Sequence, residues 1–90
     1  MRQFTFYYDP SHGWLEVPEV DLRLVGLKPH EFSMYSYRDG NNYYLEEDCD
    51  AHKFLKAWEV KFGKPTVHEH ALRTCNNFIR RLPHNDGRAA

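Results

Sequence analysis

Histidines, cysteines and carboxylates give this chain side chains that can bind metals or carry acid–base chemistry. The 90 residues include six histidines, two cysteines and thirteen acidic residues. His68 and His70 would share one face of a strand, and His52 or an aspartate of the acidic run at 46–50 could complete a three-ligand zinc site. A His-x-His pair is weak evidence alone, since an exposed pair beside a sheet explains the same spacing. We therefore predict neither a metal nor a cofactor.

The acidic run from Glu46 to Asp50 is a second candidate, because carboxylates bind hard cations. Such sites need oxygens that converge from a loop, usually with the spacing and glycine of an EF-hand, and this run has neither. Helix capping by Asp48 or Asp50 explains the same residues through ordinary helix stability. An acidic contact surface for a partner is the remaining alternative.

Nucleophilic catalysis would need Cys49 or Cys75 beside a histidine such as His12. A domain of this length rarely encloses a deep cleft, and the sequence has no nucleophile-elbow motif. We predict that the protein is not an enzyme, with a small metal- or thiol-dependent enzyme as the weaker alternative. The cysteines lack CxxC spacing and follow no secretory signal, which predicts reduced thiols and a cytoplasmic protein. Apolar runs of only a few residues predict no membrane span.

Tyrosine is the residue type whose placement is most informative. All six tyrosines fall on predicted hairpin strands, at positions 7, 8, 35, 37, 43 and 44. An antiparallel sheet covered by helices on one side exposes its other face, where tyrosines could stack on bases or anchor a protein. Internal packing of most of these rings is the alternative.

Charge decides between the two kinds of partner on that face. Acidic neighbours such as Glu16 would repel phosphate, which favours a partner protein over nucleic acid. The predicted protein-binding residues are Tyr7, Tyr35, Tyr37, Tyr44, Glu46, Glu47 and Asp48. Tyrosine is also favoured where two copies of a chain meet, so a homodimer is a further possibility.

The net charge of −1 conceals an uneven distribution. Residues 1–52 carry ten acidic and four basic residues, whereas residues 53–90 carry three acidic and eight basic ones. The basic half supports an alternative function, weak and salt-sensitive binding of nucleic acid. Its predicted contacts are Lys61, Lys64, Arg73, Arg80 and Arg81.

A partial repeat with a spacing of thirty residues organises the elements that must position these side chains. The matching residues are Tyr7, Asp9, Leu15 and Glu16 in the first copy, and Tyr37, Asp39, Leu45 and Glu46 in the second. Each copy predicts a strand, a polar turn, a second strand and a helix, with strands at 4–8, 14–17, 34–37 and 43–46. The first helix starts at Pro18, and its predicted buried face holds Val20, Leu24 and Leu27.

The second helix has the stronger pattern. Its apolar stripe consists of Ala51, Phe54, Leu55, Trp58 and Phe62. Gly63 and Pro65 end this helix, and residues 66–70 predict a last strand. Residues 71–82 fit a short helix or a strand equally well. The sequence thus predicts a single α+β domain over 1–83, with about five antiparallel strands and two helices in the order ββα-ββα-β, and a flexible tail over 84–90.

Three segments carry a resemblance to known proteins. They are Phe-Tyr-Tyr-Asp-Pro-Ser-His-Gly-Trp-Leu-Glu-Val-Pro at 6–18, Tyr-Ser-Tyr at 35–37, and Tyr-Leu-Glu-Glu-Asp-Cys-Asp-Ala at 44–51. Together they resemble a group of small uncharacterised proteins carried by bacterial phages and mobile elements. The resemblance implies a setting rather than an activity, that of an accessory or inhibitor protein that binds a host protein or nucleoprotein. We predict such a non-enzymatic interaction domain.

Overall fold

Five strands and two α-helices occur within residues 2–88, the part of the chain that the computed structural model describes. The strands are Gln3–Tyr8 (β1), Gly13–Pro18 (β2), Tyr37–Asp39 (β3), Asn42–Glu46 (β4) and Thr66–Ala71 (β5). The α-helices are Glu19–Leu24 (α1) and Asp50–Phe62 (α2), and short 3₁₀ helices span Pro29–Glu31 and Ile79–Arg81. The predicted α+β class and element order are confirmed.

The strand order β3-β4-β2-β1-β5 places the two repeat copies side by side. Strands β2 and β4 occupy equivalent places in the repeat and pair antiparallel, with the equivalent residues Leu15 and Leu45 directly opposite each other. The two hairpins are therefore related by a local two-fold arrangement that keeps both helices on one side of the sheet.

One strand joins the sheet in a direction that the sequence did not predict. Strand β5 pairs parallel with β1, so the sheet is mixed rather than wholly antiparallel. The chain leaves β4, crosses the sheet as α2 and returns as β5 in the same direction, as strands joined by a crossover helix do.

The main core lies between the sheet and the two helices. The predicted stripe of α2 supplies the buried Ala51, Phe54 and Trp58, while Phe62 at its end is half exposed. Phe4 of β1 meets Phe54 edge-to-face, with ring centroids 5.1 Å apart. The predicted periodicity of α2 thus corresponds to its buried face.

The predicted buried face of α1 is wrong for the two of its residues that lie in the helix, whereas Leu27, beyond the end of the helix, is partly buried against the core. Val20 and Leu24 are exposed, and Leu22 is the fully buried residue of this helix. Glu19 and Asp21 are also buried, because each carboxylate pairs with an arginine: Glu19 with Arg23, and Asp21 with Arg2. These polar contacts set the rotation of a helix too short for its apolar residues to decide it.

Strand β3 is displaced from its predicted position: it spans Tyr37–Asp39 rather than 34–37, because residues 34–36 form a turn. The backbone N–H of Ser36 donates to the carbonyl of Ser33, and the buried Ser36 hydroxyl donates to the Asp50 carboxylate at 2.6 Å. The Ser33 hydroxyl donates to the same carboxylate at 2.7 Å. Asp50 therefore ties this turn to the start of α2.

The second face of the sheet is covered by the C-terminal part of the chain rather than open. Residues 72–82 cross it mainly as irregular backbone, neither the helix nor the strand that the sequence allowed, with the 3₁₀ helix Ile79–Arg81 at their end. Ile79 is fully buried there against Trp14 and Tyr44. The tyrosine face predicted to be exposed is thus largely a second core.

The segment predicted as a flexible tail also packs on the sheet up to Arg88, while residues 89 and 90 lie outside the described residues. The backbone N–H of Asn85 donates to the Ser36 carbonyl at 2.8 Å. Its buried side-chain amide donates to the carbonyls of Pro29 and Phe32 at 3.0 and 3.2 Å. These bonds anchor the C-terminal segment beside β3.

In the described part of the chain, none of the helices combines the length and apolarity that a bilayer span requires.

We expect Asn85→Ala to lower the free energy of unfolding by about 1–3 kcal/mol, because it removes a buried amide that donates to the Pro29 and Phe32 carbonyls, of which the Pro29 carbonyl keeps a bond from the Phe32 N–H. The adjacent Asp86→Ala is the control, since the Asp86 carboxylate is 57% exposed and forms long ion pairs at 3.6 and 3.8 Å and one exposed hydrogen bond from the Arg88 N–H, together worth about 1 kcal/mol or less. Urea denaturation of both variants measures the difference. Equal stability of the two variants would show that the Asn85 anchor contributes nothing.

Candidate binding cleft

A cleft of about 430 Å³ opens on the second face of the sheet, where several loops meet. We call it the Tyr35 cleft. It is bounded by the β1–β2 turn, the turn before β3, the β4–α2 connection and the C-terminal segment. Its lining consists of His12, Gly13, Trp14, Tyr35, Tyr37, Glu46, Glu47, Asp48, Cys49, Arg80 and His84.

The structure brings together five of the seven predicted protein-binding residues in this cleft: Tyr35, Tyr37, Glu46, Glu47 and Asp48. Tyr7 and Tyr44 lie elsewhere, in the second core, with their ring centroids 6.1 Å apart. Burial and a hydrogen bond to Glu16 at 2.9 Å raise the pKa of the Tyr44 hydroxyl well above its usual range. Tyr44 is buried, so it is a packing residue rather than a contact surface.

The floor of the cleft is fixed by an ion pair between Asp9 and Arg80. The Arg80 guanidinium donates Nε to Asp9 Oδ2 at 2.8 Å and Nη2 to Oδ1 at 3.0 Å. It also lies over the ring of Trp14, 5.3 Å from the centroid, and Trp14 is buried. This contact holds the indole and the guanidinium in one arrangement.

The carboxylate of Asp9 is fully buried and accepts several further hydrogen bonds. The backbone N–H groups of Ser11 and His12 each donate to Oδ1 at 2.9 Å, and the side-chain amide of Asn77 donates to Oδ2 at 3.0 Å. The Arg80 guanidinium is the main cause that holds the pKa of Asp9 well below its usual range, and the two backbone donors add to it. The same pairing raises the pKa of Arg80.

Glu46 caps α2, a role that the sequence assigned to Asp48 or Asp50. Its carboxylate accepts from the backbone N–H groups of Asp48 at 2.9 Å, Cys49 at 2.8 Å and Asp50 at 3.3 Å. Cys49 occupies the N-cap position without a side-chain bond. Glu46 lies four residues before the first residue of α2, and its side chain folds back onto the N–H groups at the start of the helix. A sequence pattern that looks for an N-cap residue does not detect this arrangement.

Glu47 and Asp48 form the acidic rim of the cleft. Both are exposed, and within residues 2–88 neither carboxylate forms an ion pair or accepts a hydrogen bond. The Arg80 charge beside them is already balanced by Asp9. The rim therefore carries negative charge that is available to a ligand.

The opposite side of the mouth is apolar. Tyr35, which lines the cleft, is 73% exposed, and its neighbour Met34, outside the lining, is 66% exposed. Deeper in the cleft, Tyr37 stacks on His84 with ring centroids 4.6 Å apart and meets Trp14 edge-to-face at 6.0 Å. The cleft thus combines an aromatic wall with an acidic rim.

The predicted nucleic-acid residues contact different parts of the fold. Arg80 is paired with Asp9, Arg81 donates to the Asn76 side chain at 3.3 Å, and Lys61 donates to the Leu24 carbonyl at 2.5 Å. Lys64 and Arg73 lie just outside the two ends of β5. Binding of nucleic acid through these residues stays a prediction.

The histidines and cysteines considered for chemistry are also dispersed. His68 lies 3.1 Å from the Gln3 side chain, and the His70 ring contacts Tyr7. Across residues 2–88, histidine, cysteine and acidic side chains form no cluster of three or more that could hold a metal ion. Cys49 and Cys75 are both free and exposed.

Sequence reasoning placed neither Trp14 nor His84 in a binding site, considered His12 only as a partner for a cysteine, and assigned Arg80 to a different surface. A signal for Trp14 was present, because the repeat makes it equivalent to Tyr44 and the two-residue period places both on the second face. His84 had no such signal, since its position depends on how the C-terminal segment crosses the sheet.

Neither a protein-family model, nor a curated protein, nor a solved structure matches this chain.

We expect the stability of the wild type to fall with pH below about 4, the ordinary pKa of an aspartate. Because folding depresses the pKa of Asp9, its contribution is fully present above that pH and is lost as Asp9 becomes protonated in the folded state. Asp9→Asn removes this part of the acid dependence, so its stability changes less steeply between pH 4 and pH 2.

Urea denaturation across this pH range checks the expectation. Asp39→Asn is the control, since within residues 2–88 the exposed Asp39 side chain takes part in no ion pair. It should retain the wild-type slope. A wild-type slope in Asp9→Asn would mean that other buried carboxylates carry the acid dependence.

We expect Glu46→Ala to destabilise the fold by about 1 kcal/mol, because it removes the cap of α2. Glu47→Ala should change stability by less than about 0.5 kcal/mol, since its side chain is exposed and unbonded. Thermal unfolding of the two variants compares adjacent glutamates on the same connection. A larger loss in Glu47→Ala would contradict the assignment of the cap.

Proposed function

We propose that this protein is a non-enzymatic interaction domain that binds a partner protein through the Tyr35 cleft. The observation that carries the proposal is the exposure of Tyr35, 73% accessible at the mouth of the cleft beside two unpaired carboxylates. Exposed aromatic side chains next to charged groups are typical anchors of protein interfaces. Glu46 caps α2 and Arg80 pairs with Asp9, so neither is free to bind a ligand. The cleft side chains that remain for a partner include Tyr35, Glu47 and Asp48.

The electrostatics of the cleft suggest the chemistry of the partner. Glu47 and Asp48 supply two negative charges on the rim, and the aromatic wall offers ring faces to a cation. A lysine or arginine side chain of the partner suits both features, with its alkyl portion against Tyr35 and its charge near the rim. We infer that the partner presents a basic segment.

Rigidity of the floor would favour binding. The Asp9–Arg80 pair and the cation–π contact with Trp14 hold the base of the cleft in place before a ligand arrives. A site whose side chains are already ordered loses less conformational entropy when it binds. The fold therefore supports a preformed site rather than one created by the partner.

The resemblance to proteins of phages and mobile elements suggests the biological role. In that setting the domain would be an accessory or inhibitor protein that acts on a host protein or nucleoprotein. The free, exposed Cys49 and Cys75 are compatible with the reducing cytoplasm, which we propose as its location.

We expect Tyr35→Ala to reduce capture of the partner protein from a bacterial lysate by about tenfold or more, as loss of an interface anchor does. Quantitative mass spectrometry of affinity-captured proteins measures the loss. Phe62→Ala is the matched control, because Phe62 is a half-exposed aromatic at the opposite end of α2 from the cleft.

Two further comparisons make the test specific. A Glu47→Lys and Asp48→Lys double variant should lose the same captured protein, because the charge of the rim is reversed. Equal capture by wild type and Tyr35→Ala would refute the cleft as the binding site. Capture of nucleic acid that depends on Arg73 and Arg81 instead would favour the alternative function.

A further inference from the structure

The two edges of the sheet differ in whether another part of the chain covers them. The outer edge of β3 is covered by the C-terminal segment: the Arg38 N–H donates to the Pro83 carbonyl at 2.9 Å, and the Asn85 N–H donates to Ser36 at 2.8 Å. Strand β5 is the other edge, and its outer side faces no strand among residues 2–88. One edge is therefore closed and the other is open.

The register of β5 shows which backbone groups point outward. The N–H groups of Thr66 and Leu72 donate to the carbonyls of Arg2 and Tyr8, beside β1. Bonded residues alternate along a parallel strand, so residues 66, 68, 70 and 72 face β1. The N–H and C=O groups of Val67, Glu69 and Ala71 consequently point to the open edge.

This edge has few of the features that usually prevent strand addition. Such edges are protected by prolines, charged side chains (lysine above all), bulges or very short strands. Strand β5 has six residues without proline or lysine, and five of them are exposed. Glu69 is its sole acidic residue.

We propose that β5 binds an extended segment of another protein, one that carries acidic residues at both of its ends. The added strand would satisfy the outward groups of Val67, Glu69 and Ala71 by β-augmentation. Lys64 and Arg73 flank β5 on either side, are exposed, and form no ion pair within the described residues. The positive charges of Lys64 and Arg73 attract acidic residues at the two ends of the bound segment.

A second copy of this chain fits the same edge less well. Antiparallel pairing of two β5 strands brings Lys64 close to Arg73 of the other copy at both ends, so like charges oppose each other. The register with most hydrogen bonds also places the two Glu69 side chains directly opposite, which destabilises a strand pair. An edge of six residues is moreover small for a stable dimer.

The test uses two peptides of about ten residues, long enough at roughly 3.3 Å per residue to span from Lys64 to Arg73. Both alternate threonine and valine, and they end in aspartate or in lysine. In NMR titrations of the labelled protein, the aspartate-ended peptide should shift the amides of Val67, Glu69 and Ala71. The lysine-ended peptide should bind about tenfold more weakly, since two exposed charge pairs change sign.

Glu69→Pro removes an outward N–H that takes no part in the β1 ladder, so it should abolish binding while the fold persists. Glu69→Ala is the matched control, and it keeps the N–H and should bind normally. Should Glu69→Pro fail to fold, Lys64→Glu with Arg73→Glu still tests the proposal, because that variant should prefer the lysine-ended peptide.

Three results would overturn the proposal. One is equal binding of both peptides by the wild type. Another is peptide-induced shifts confined to the Tyr35 cleft. The third is sedimentation of the free protein as a dimer that Glu69→Pro disrupts, which would make a second copy the occupant. Loss of the Tyr35-dependent partner does not bear on this edge, so the two binding sites are tested separately.

Discussion

The buried carboxylate of Asp9 joins the beginning of the sheet to the end of the chain, and much of the second face depends on that contact. Arg80 reaches Asp9 from 71 positions away, and Asn77 donates to the same carboxylate. Burial of a carboxylate is unfavourable unless charge and hydrogen bonds compensate it, and here both do. The ion pair therefore fixes where the C-terminal segment crosses the sheet.

The path of the C-terminal segment decides which side chains of the second face are buried. A five-stranded sheet with helices on one side would leave its second face in water, with the rings of Trp14, Tyr7 and Tyr44 exposed. The C-terminal segment instead places Ile79 and Leu82 against these rings and forms a second core. The same segment closes the β3 edge through Asn85. On the second face and along the two edges of the sheet, the Tyr35 cleft and the β5 edge remain accessible.

These two surfaces differ in charge and in the kind of ligand that each can accept. The cleft offers side chains, an aromatic wall and an acidic rim, so it suits an inserted basic residue. The β5 edge offers backbone groups between two cations, so it suits an extended strand with acidic ends. The opposite charges follow the sequence, in which ten of the thirteen acidic residues lie in 1–52 and eight of the twelve basic residues lie in 53–90.

The sequence by itself determined the elements that depend on neighbours along the chain. The hairpin turns, the apolar stripe of α2 and the thirty-residue repeat are local patterns, and the structure reproduces them, with Leu15 opposite Leu45. The Glu46 cap is local, but it comes from a residue four positions before the helix rather than from the N-cap position. Tertiary structure decided the direction of β5, the buried face of α1 and the burial of Tyr44. The direction of β5 and the burial of Tyr44 depend on partners brought from distant positions, as the Arg80–Asp9 pair does, and such pairings leave no periodic trace in the sequence.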